Sequence, residues 1–138
     1  MINFASYFSR NVKNTLLLKN GVNLAHKGPW VLVYPNTVID EWYVGDFMSA
    51  EYTVSVDFGN NEKEIIKCLL VAGPDSAAVT VFGRSNLNSN LVEFTATVSA
   101  SKVSLIVSPA INDNSTLANG SKLIFSAHYF HTMNQLTP

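Results

Sequence analysis

The stretch that decides the fold runs from Met48 to Arg84 and reads MSAEYTVSVDFGNNEKEIIKCLLVAGPDSAAVTVFGR. Its first part alternates, with apolar side chains at every second position: Tyr52, Val54, Val56 and Phe58. A period of two is typical of a β-strand that buries one face and turns the other to water or to a partner. Gly59-Asn60-Asn61 and Gly73-Pro74-Asp75-Ser76 are turn signals, so the stretch predicts three consecutive strands.

The second and third of these strands differ in character. Ile65 to Val71 is a nearly continuous apolar run, which predicts a central strand buried on both faces. Ala77 to Phe82 forms the third strand and ends at Gly83. The polar residues from Arg84 to Asn90 are typical of a solvent-exposed loop.

Further strands are predicted on both sides of this stretch. Before it, Asn20-Gly21 indicates a tight hairpin turn, whereas Gly28-Pro29 predicts a break in the chain. The remaining candidate strands are Thr15 to Lys19, Trp30 to Tyr34, Val38 to Val44, Leu91 to Val98, Lys102 to Val107 and Ser121 to Phe130. Seven to nine short strands with turns between them predict an all-β fold, an antiparallel β-sandwich with an N-terminal extension.

This pattern divides the chain into two parts. Residues 1–36 are predicted to be an N-terminal segment, an apolar arm followed by short strands, and residues 37–138 the sandwich core. The arm carries Ile2, Phe4, Tyr7 and Phe8, which fit neither strand nor helix periodicity well. An apolar terminal segment is unfavourable in water, so it is expected to pack against protein. These four side chains are therefore expected either to pack on their own domain or to contact a neighbouring subunit.

Composition narrows the function classes. The chain has 138 residues, which is the size of one domain, and only 14% of them are charged. Little charge is expected either when Ser, Thr and Asn cover the outer faces or when surface is covered in an assembly. A net charge of −1 without a basic run argues against nucleic acid as a partner, and no apolar run is long enough to span a membrane. No secretory signal is evident, and Cys68 reads as a small buried hydrophobe.

No catalytic or metal-binding constellation is apparent. His128 and His131 lie three apart, and such residues face opposite sides of a strand. The neighbours Asp40 and Glu41 likewise point to opposite faces and cannot act as one acid/base pair. Glu64 lies near a turn with Asp57 and Glu62, where carboxylates usually serve solvation. We therefore expect no enzyme activity, no metal site and no cofactor.

Exposed aromatic residues offer a different kind of site. Trp30, Trp42 and Tyr43 are the candidates for a platform that binds a sugar or receptor. Trp42 and Tyr43 are adjacent and face opposite ways, so one of them is expected outside the core. Packing against a neighbouring loop or subunit is the competing explanation for exposed aromatic residues.

From residue 38 onward the chain resembles a β-sandwich module found in structural proteins of tailed bacteriophages, including cyanobacterial myoviruses. The matching pieces lie in this order: Val38 to Trp42, Ser49 to Val56, Cys68 to Val71, Ala78 to Gly83, Phe94 to Val98, Val103 to Ala110 and Lys122 to Ser126. They cover about three-quarters of the chain, and each piece alone is a common strand pattern. One departure is that Phe47-Met48 precedes the Ser-Ala-x-Tyr element, where the family often has a basic residue.

The resemblance implies a virion component used as a folded building block on tails, baseplates, fibres or capsid surfaces, and it implies no catalytic residues. The family's module is often embedded in longer proteins, so the place on the virion stays open. The sequence thus predicts a non-enzymatic virion structural protein that contacts other virion proteins and copies of itself. The alternative is a receptor- or glycan-binding module of the kind found on tail fibres, which would use Trp30, Trp42 or Tyr43.

Overall fold

The protein is described by a computed structural model that covers residues 9–10, 15–17, 22–111 and 117–132, with side chains from residue 30 onward. These residues form strands and turns, and none of them lies in a helix that could span a membrane. The ten strands are β1 (Ser9–Arg10), β2 (Thr15–Leu17), β3 (Val22–Val33), β4 (Thr37–Tyr43), β5 (Phe47–Gly59), β6 (Glu62–Ala72), β7 (Ala77–Asn86), β8 (Val92–Ser99), β9 (Lys102–Pro109) and β10 (Ser121–His131).

The strands form two antiparallel sheets. The large sheet has seven strands in the order β1-β2-β3-β10-β5-β6-β7, and the small sheet has three in the order β4-β9-β8. The predicted all-β antiparallel sandwich is therefore confirmed. The number of strands exceeds the predicted seven to nine because β1 and β2, of two and three residues, are counted as strands.

The core lies between the small sheet and the middle of the large one. Every second residue of β10, β5 and β6 is buried, as the alternation predicts. From the small sheet, Val103, Leu105 and Val107 meet them. Three strands spaced about 4.8 Å apart cover only about three strands of the opposite sheet. The inward side chains of β7 are consequently only partly covered, and Val81 remains 37% exposed.

The prediction that Ile65 to Val71 is buried on both faces is wrong. Strand β6 does lie inside the large sheet, but only its inward residues, such as Ile66 and Leu70, are buried. Ile65, Leu69 and Val71 point away from the small sheet and are about half exposed. A continuous apolar run indicates two covered faces only when both have a covering layer, and the described residues supply one such layer.

The predicted break at Gly28-Pro29 is also wrong. Strand β3 continues through these residues from Val22 to Val33, and its pairing with β10 shifts register there. Val31 lies opposite Leu123 and Lys27 opposite Phe125, so three residues of β3 face one residue of β10. A bulge accommodates a proline because the residues in it do not take part in the regular ladder.

Strand β3 also bears on the predicted boundary after residue 36. It precedes that boundary and pairs with β10 along nearly its whole length. The division into residues 1–36 and 37–138 stays a prediction, and the pairing identifies β3 as the segment on which it can be tested.

Candidate functional site

The most distinctive exposed surface is the outer face of the large sheet, meaning the face that points away from the small sheet. Large apolar side chains recur on it across β3, β10 and β6. Strand pairing places Ile124, Ser55 and Ile65 in one row and Phe130, Ser49 and Val71 in another. The apolar residues of this face are between 38% and 57% exposed: Leu32, Ile65, Leu69, Val71, Ile124 and Phe130.

The apolar area of this face is considerable, and it lies in two parts. Six side chains that are each about half exposed present on the order of 500 Å² in total, and the polar outer row of β5 separates those of β3 and β10 from those of β6. Two lysines on this face are paired with carboxylates. Lys63 contacts Asp57 at 2.9 Å and Lys67 contacts Glu51 at 3.3 Å. The hydrogen bond from Lys63 lowers the pKa of Asp57, with a smaller contribution from the backbone N–H of Gly59.

The outer face of the small sheet has a different composition. Its rows consist mainly of short polar or charged side chains, such as the row formed by Glu41, Ser104 and Thr97. Lys102 Nζ lies 3.5 Å from a Glu41 carboxylate oxygen. Such a surface is well solvated without a partner, so the two outer faces of the sandwich are unlike, and only the large sheet leaves so much apolar surface uncovered.

The structure does not bring the three predicted platform residues together. Trp30 is exposed on the large sheet, with Lys122 Nζ 4.7 Å from its ring centre. Tyr43 is exposed on the outer face of the small sheet, with Lys102 Nζ 5.6 Å from its ring centre. Trp42 is only 2% exposed and lies between the sheets. One residue of the Trp42-Tyr43 pair is thus outside the core, as predicted, but Trp42 cannot be part of an exposed platform.

A buried polar centre surrounds Asp40, which sequence reasoning did not identify. The hydroxyl groups of Tyr52 and Tyr129 both donate to Oδ2 of Asp40, at 2.7 and 2.6 Å. Trp42 Nε1–H donates in turn to the Tyr52 hydroxyl oxygen at 3.1 Å. These residues come from β4, β5 and β10, so the centre joins the small sheet to the middle of the large sheet.

Burial sets the protonation of the two tyrosines at this centre. Loss of hydration raises the pKa of Tyr52 and of Tyr129 well above the usual value, and the negative charge of Asp40 raises both further. Both hydroxyl groups therefore stay protonated and keep donating. A bulge brings Asp40 inside, because the β4–β9 register shifts between Val38 and Asp40 and leaves both Ile39 and Asp40 buried.

A second buried charge lies at the other end of the core. Glu64 is 4% exposed and accepts from Arg84 Nη1 at 2.9 and 2.7 Å through its two carboxylate oxygens. The backbone N–H groups of Leu91 and Val92 donate to the same carboxylate at 2.9 and 3.2 Å. The prediction that Glu64 serves solvation is wrong, as is the placement of Arg84 in a loop, because β7 extends through Arg84 to Asn86.

Neither buried carboxylate is arranged for catalysis. Both are enclosed and hold hydrogen bonds from the protein itself, which leaves no side open to a substrate. In the described part of the chain, no group of three His, Cys, Asp or Glu residues could hold a metal ion. His128 is exposed and His131 is buried against Phe47, in keeping with their predicted opposite faces. Burial also raises the pKa of the Cys68 thiol to about 11, which keeps it protonated and unreactive at neutral pH.

The predicted subunit contacts in the N-terminal arm, Ile2, Phe4, Tyr7 and Phe8, lie outside the described residues. Their role stays a prediction.

Comparison with known proteins gives no family. No protein-family model matches the sequence, and no curated protein matches it. Solved structures to which the chain shows a weak similarity include phage tailspike proteins. The tailspike of Acinetobacter baumannii phage AM24 is 12% identical with a TM-score of 0.47, and the match covers 80% of this chain and 26% of that one.

Two further tailspikes show the same level of similarity. Tailspike gp49 of Acinetobacter baumannii bacteriophage Fri1, described as a capsular polysaccharide depolymerase, is 12% identical with a TM-score of 0.47 and covers 99% of this chain and 23% of its own. The tailspike of Acinetobacter phage vB_ApiP_P1 is 13% identical with a TM-score of 0.41, over 95% of this chain and 24% of its own. The chain thus spans about a quarter of the length of these tailspikes. At such identities and scores they transfer no activity or residue role.

Proposed function

We propose that this chain is a non-enzymatic structural protein of a tailed-phage virion, a β-sandwich module that is built into the particle through protein–protein contacts. The observation that carries the proposal is the outer face of the large sheet. Its half-exposed side chains, such as Ile65, Leu69 and Val71, are costly in water and favourable when another subunit covers them. The family resemblance of the sequence supports the virion as the place of assembly.

We also propose that the protein catalyses no reaction. The two most enclosed carboxylates, Asp40 and Glu64, are saturated by partners in the core and serve the fold. The arm residues Ile2, Phe4, Tyr7 and Phe8 are proposed as additional subunit contacts. Other virion proteins and copies of this chain are the proposed partners, and the tail, neck, baseplate and capsid surface are all compatible locations.

The first test asks whether the protein is in the particle. Antibody raised against the purified chain is applied to purified virions and located by electron microscopy. Label at one fixed position on the particle is the expected result. Particles that carry no label, from cells that contain the protein, contradict the proposal.

A second test asks whether the outer face of the large sheet makes the contact. Leu69→Lys places a charge in the apolar face, and we expect its incorporation into particles to fall at least about tenfold, because a buried unpaired lysine costs several kcal/mol. Thr97→Lys, an exposed strand position on the small sheet, is the matched control and should be incorporated normally. Equal incorporation of both variants would exclude this face as the contact.

Trp30 supports a second candidate function, binding of a host glycan or receptor. Its ring is half exposed beside the Lys122 ammonium, an arrangement that can stack on a sugar and donate to its hydroxyl groups. Trp42 is buried, so a bound sugar is expected to change the fluorescence of Trp30 alone. Titration of the wild type and of Trp30→Phe with capsular polysaccharide from the host tests this. A response that persists in Trp30→Phe, or no response in either, argues against a site at Trp30.

A further inference from the structure

Strand β7 forms an open edge of the large sheet. Among the described residues it pairs with β6 alone, from Ala77 opposite Ala72 to Asn86 opposite Glu64. No backbone hydrogen bond among these residues, apart from that ladder, occupies the positions from Ala77 to Asn86. Strand β8 approaches the Arg84 end of β7, where Arg84 Nη2 donates to the Val92 carbonyl oxygen at 3.2 Å, but no backbone ladder joins these two strands. The other side of β7 therefore presents backbone donors and acceptors that no described strand pairs with.

This edge has only one of the usual protections against pairing, an irregularity at Phe82. Proteins normally guard edge strands with short length, charged side chains, proline or bulges. From Ala77 to Gly83 the strand reads AAVTVFG and contains no charge and no proline; its one irregularity is the register shift at Phe82. The edges of the small sheet differ, since β8 carries Glu93 and β4 carries Glu41 and a bulge.

Apolar side chains are uncovered on both sides of this edge. Val81 points toward the small sheet, opposite Cys68, but remains 37% exposed. On the outer side, Ala78 and Thr80 lie next to Val71 and Leu69 of β6. Phe82 is 52% exposed. A strand added beside β7 would satisfy the free backbone groups and shield apolar surface on both faces at once.

The segment suits a second copy of itself. Antiparallel pairing of identical strands has twofold symmetry, so the residue on the axis faces its own copy and every other contact occurs twice. With the axis at Thr80, the centre of Ala77 to Gly83, the uncharged segments oppose each other and no like charges meet. Arg84, the nearest charge, is held by Glu64 of its own chain.

We propose that two copies of this chain pair antiparallel through β7, joining their large sheets into one continuous sheet with seven strands from each copy. The outer faces of β6 and β7 of both copies then form one apolar surface. The inference deepens the proposed assembly role by naming the partner. It is tested on purified protein, so its outcome is separate from whether virions contain the chain.

The test is a charge exchange at Thr80. Purified full-length wild type, Thr80→Lys and Thr80→Glu are compared by sedimentation velocity over a range of concentrations. We expect the wild type to have twice the 15.1 kDa mass of the chain. Each variant places two like charges opposite each other, and its dimer dissociation constant should rise roughly tenfold or more. An equal mixture of the two should restore the dimer, because opposite charges then meet.

Thr97→Lys is the matched control, since it places the same charge at an exposed threonine on the edge strand of the small sheet. It should remain dimeric, and circular dichroism should show all variants folded. The proposal is overturned by a monomeric wild type, by Thr80 variants that remain dimeric, or by a mixture that does not regain the dimer. If the wild type is dimeric but the antibody labels no virions, the proposed virion role is contradicted while the pairing through β7 is supported.

Discussion

At the scale of single residues, buried Asp40 links the two sheets of this fold through hydrogen bonds. It accepts hydrogen bonds from Tyr52 and Tyr129, which lie on different strands of the large sheet, and it belongs to the small sheet. A charge without partners at this depth would cost several kcal/mol, so the tyrosine hydroxyl groups are a condition of its burial. Because hydrogen bonds are directional, this centre also restricts the relative position of the two sheets more strictly than apolar contacts do.

Replacing Asp40 should therefore destabilise the protein far more than replacing its neighbour. We expect Asp40→Asn to lower the free energy of unfolding by about 2 kcal/mol, because a neutral amide accepts the two hydroxyl hydrogen bonds less strongly and adds donors to a buried site. Glu41→Gln, at an exposed position of the same strand, should have little effect. Urea unfolding followed by circular dichroism measures both. Similar values for the two variants would show that the centre is not important for stability.

The raised pKa values of Tyr52 and Tyr129 predict how stability depends on alkaline pH. Above about pH 10 the unfolded chain loses these two protons while the folded protein keeps them, so the folded state binds more protons and stability falls as pH rises. Each tyrosine contributes a slope of about 1.4 kcal/mol per pH unit. Below that pH their contribution is fully present.

The measurement is urea unfolding at a series of pH values above 10. Tyr129→Phe removes one of the two groups and should lower the wild-type slope by about 1.4 kcal/mol per pH unit. Tyr43→Phe, an exposed tyrosine, is the control. An alkaline slope that Tyr129→Phe leaves unchanged would mean that Tyr129 ionises in the folded protein.

At the scale of elements, the alternation of apolar and polar residues predicted where the strands lie, but it predicted less well which of their faces are covered. The inward residues of β9 and β10 could be read from the sequence because each buried face has a sheet opposite it. The exposed face of β6 could not, since an apolar run looks the same whether the chain itself or a partner covers it. Asp40 and Glu64 were missed for another reason: the residues that bind them are distant in sequence, and a bulge is needed to turn Asp40 inward.

The Glu64–Arg84 pair connects three elements and allows a sharp comparison. It joins β6 to β7 and fixes the start of β8 through the backbone at Leu91 and Val92. Glu64→Gln leaves Arg84 without its carboxylate in a largely buried site, and we expect a loss of about 3 kcal/mol in the free energy of unfolding.

The matched control is an exposed ion pair on the neighbouring β5–β6 ladder. Asp57→Asn removes the partner of Lys63, and both side chains of this pair are at least half exposed, so stability should change little. Thermal and urea unfolding of both variants measure the difference. Equal losses would indicate that Arg84 finds other partners when Glu64 is neutral.

At the scale of the whole molecule, the two sheets are unequal, and this inequality links the fold to the proposed function. A small sheet of three strands covers the middle of a sheet of seven, so the large sheet has uncovered strands and a bare outer face. The apolar side chains that stay uncovered, such as Leu69 and Val71, are the basis for the proposal that another subunit covers them. The open β7 edge and the outer face of β6 are the places where an additional subunit would complete it.

Strand β3 lies in the half of the large sheet away from β7, and removing it tests where the folded unit begins. The sequence predicts a core of residues 37–138, yet β3 lies before residue 37 and pairs with β10 over nine residue pairs. Without β3, the backbone of β10 loses its partner on one side, and Leu123 and Phe125 lose the cover of the neighbouring strand. We expect the fragment 37–138 to aggregate or to unfold at a clearly lower urea concentration than the full chain.

The fragment 22–138, which keeps β3, is the matched control and should retain most of the stability of the full chain. Both fragments are compared with the full chain by urea unfolding, with fluorescence of the buried Trp42 as the reporter of contact between the sheets. If residues 37–138 unfold at the same urea concentration as residues 22–138, then β3 is an appendage and the predicted boundary is correct. If only the longer fragment is stable, the folding unit begins at or before Val22, and β3 belongs to the core that positions the assembly face.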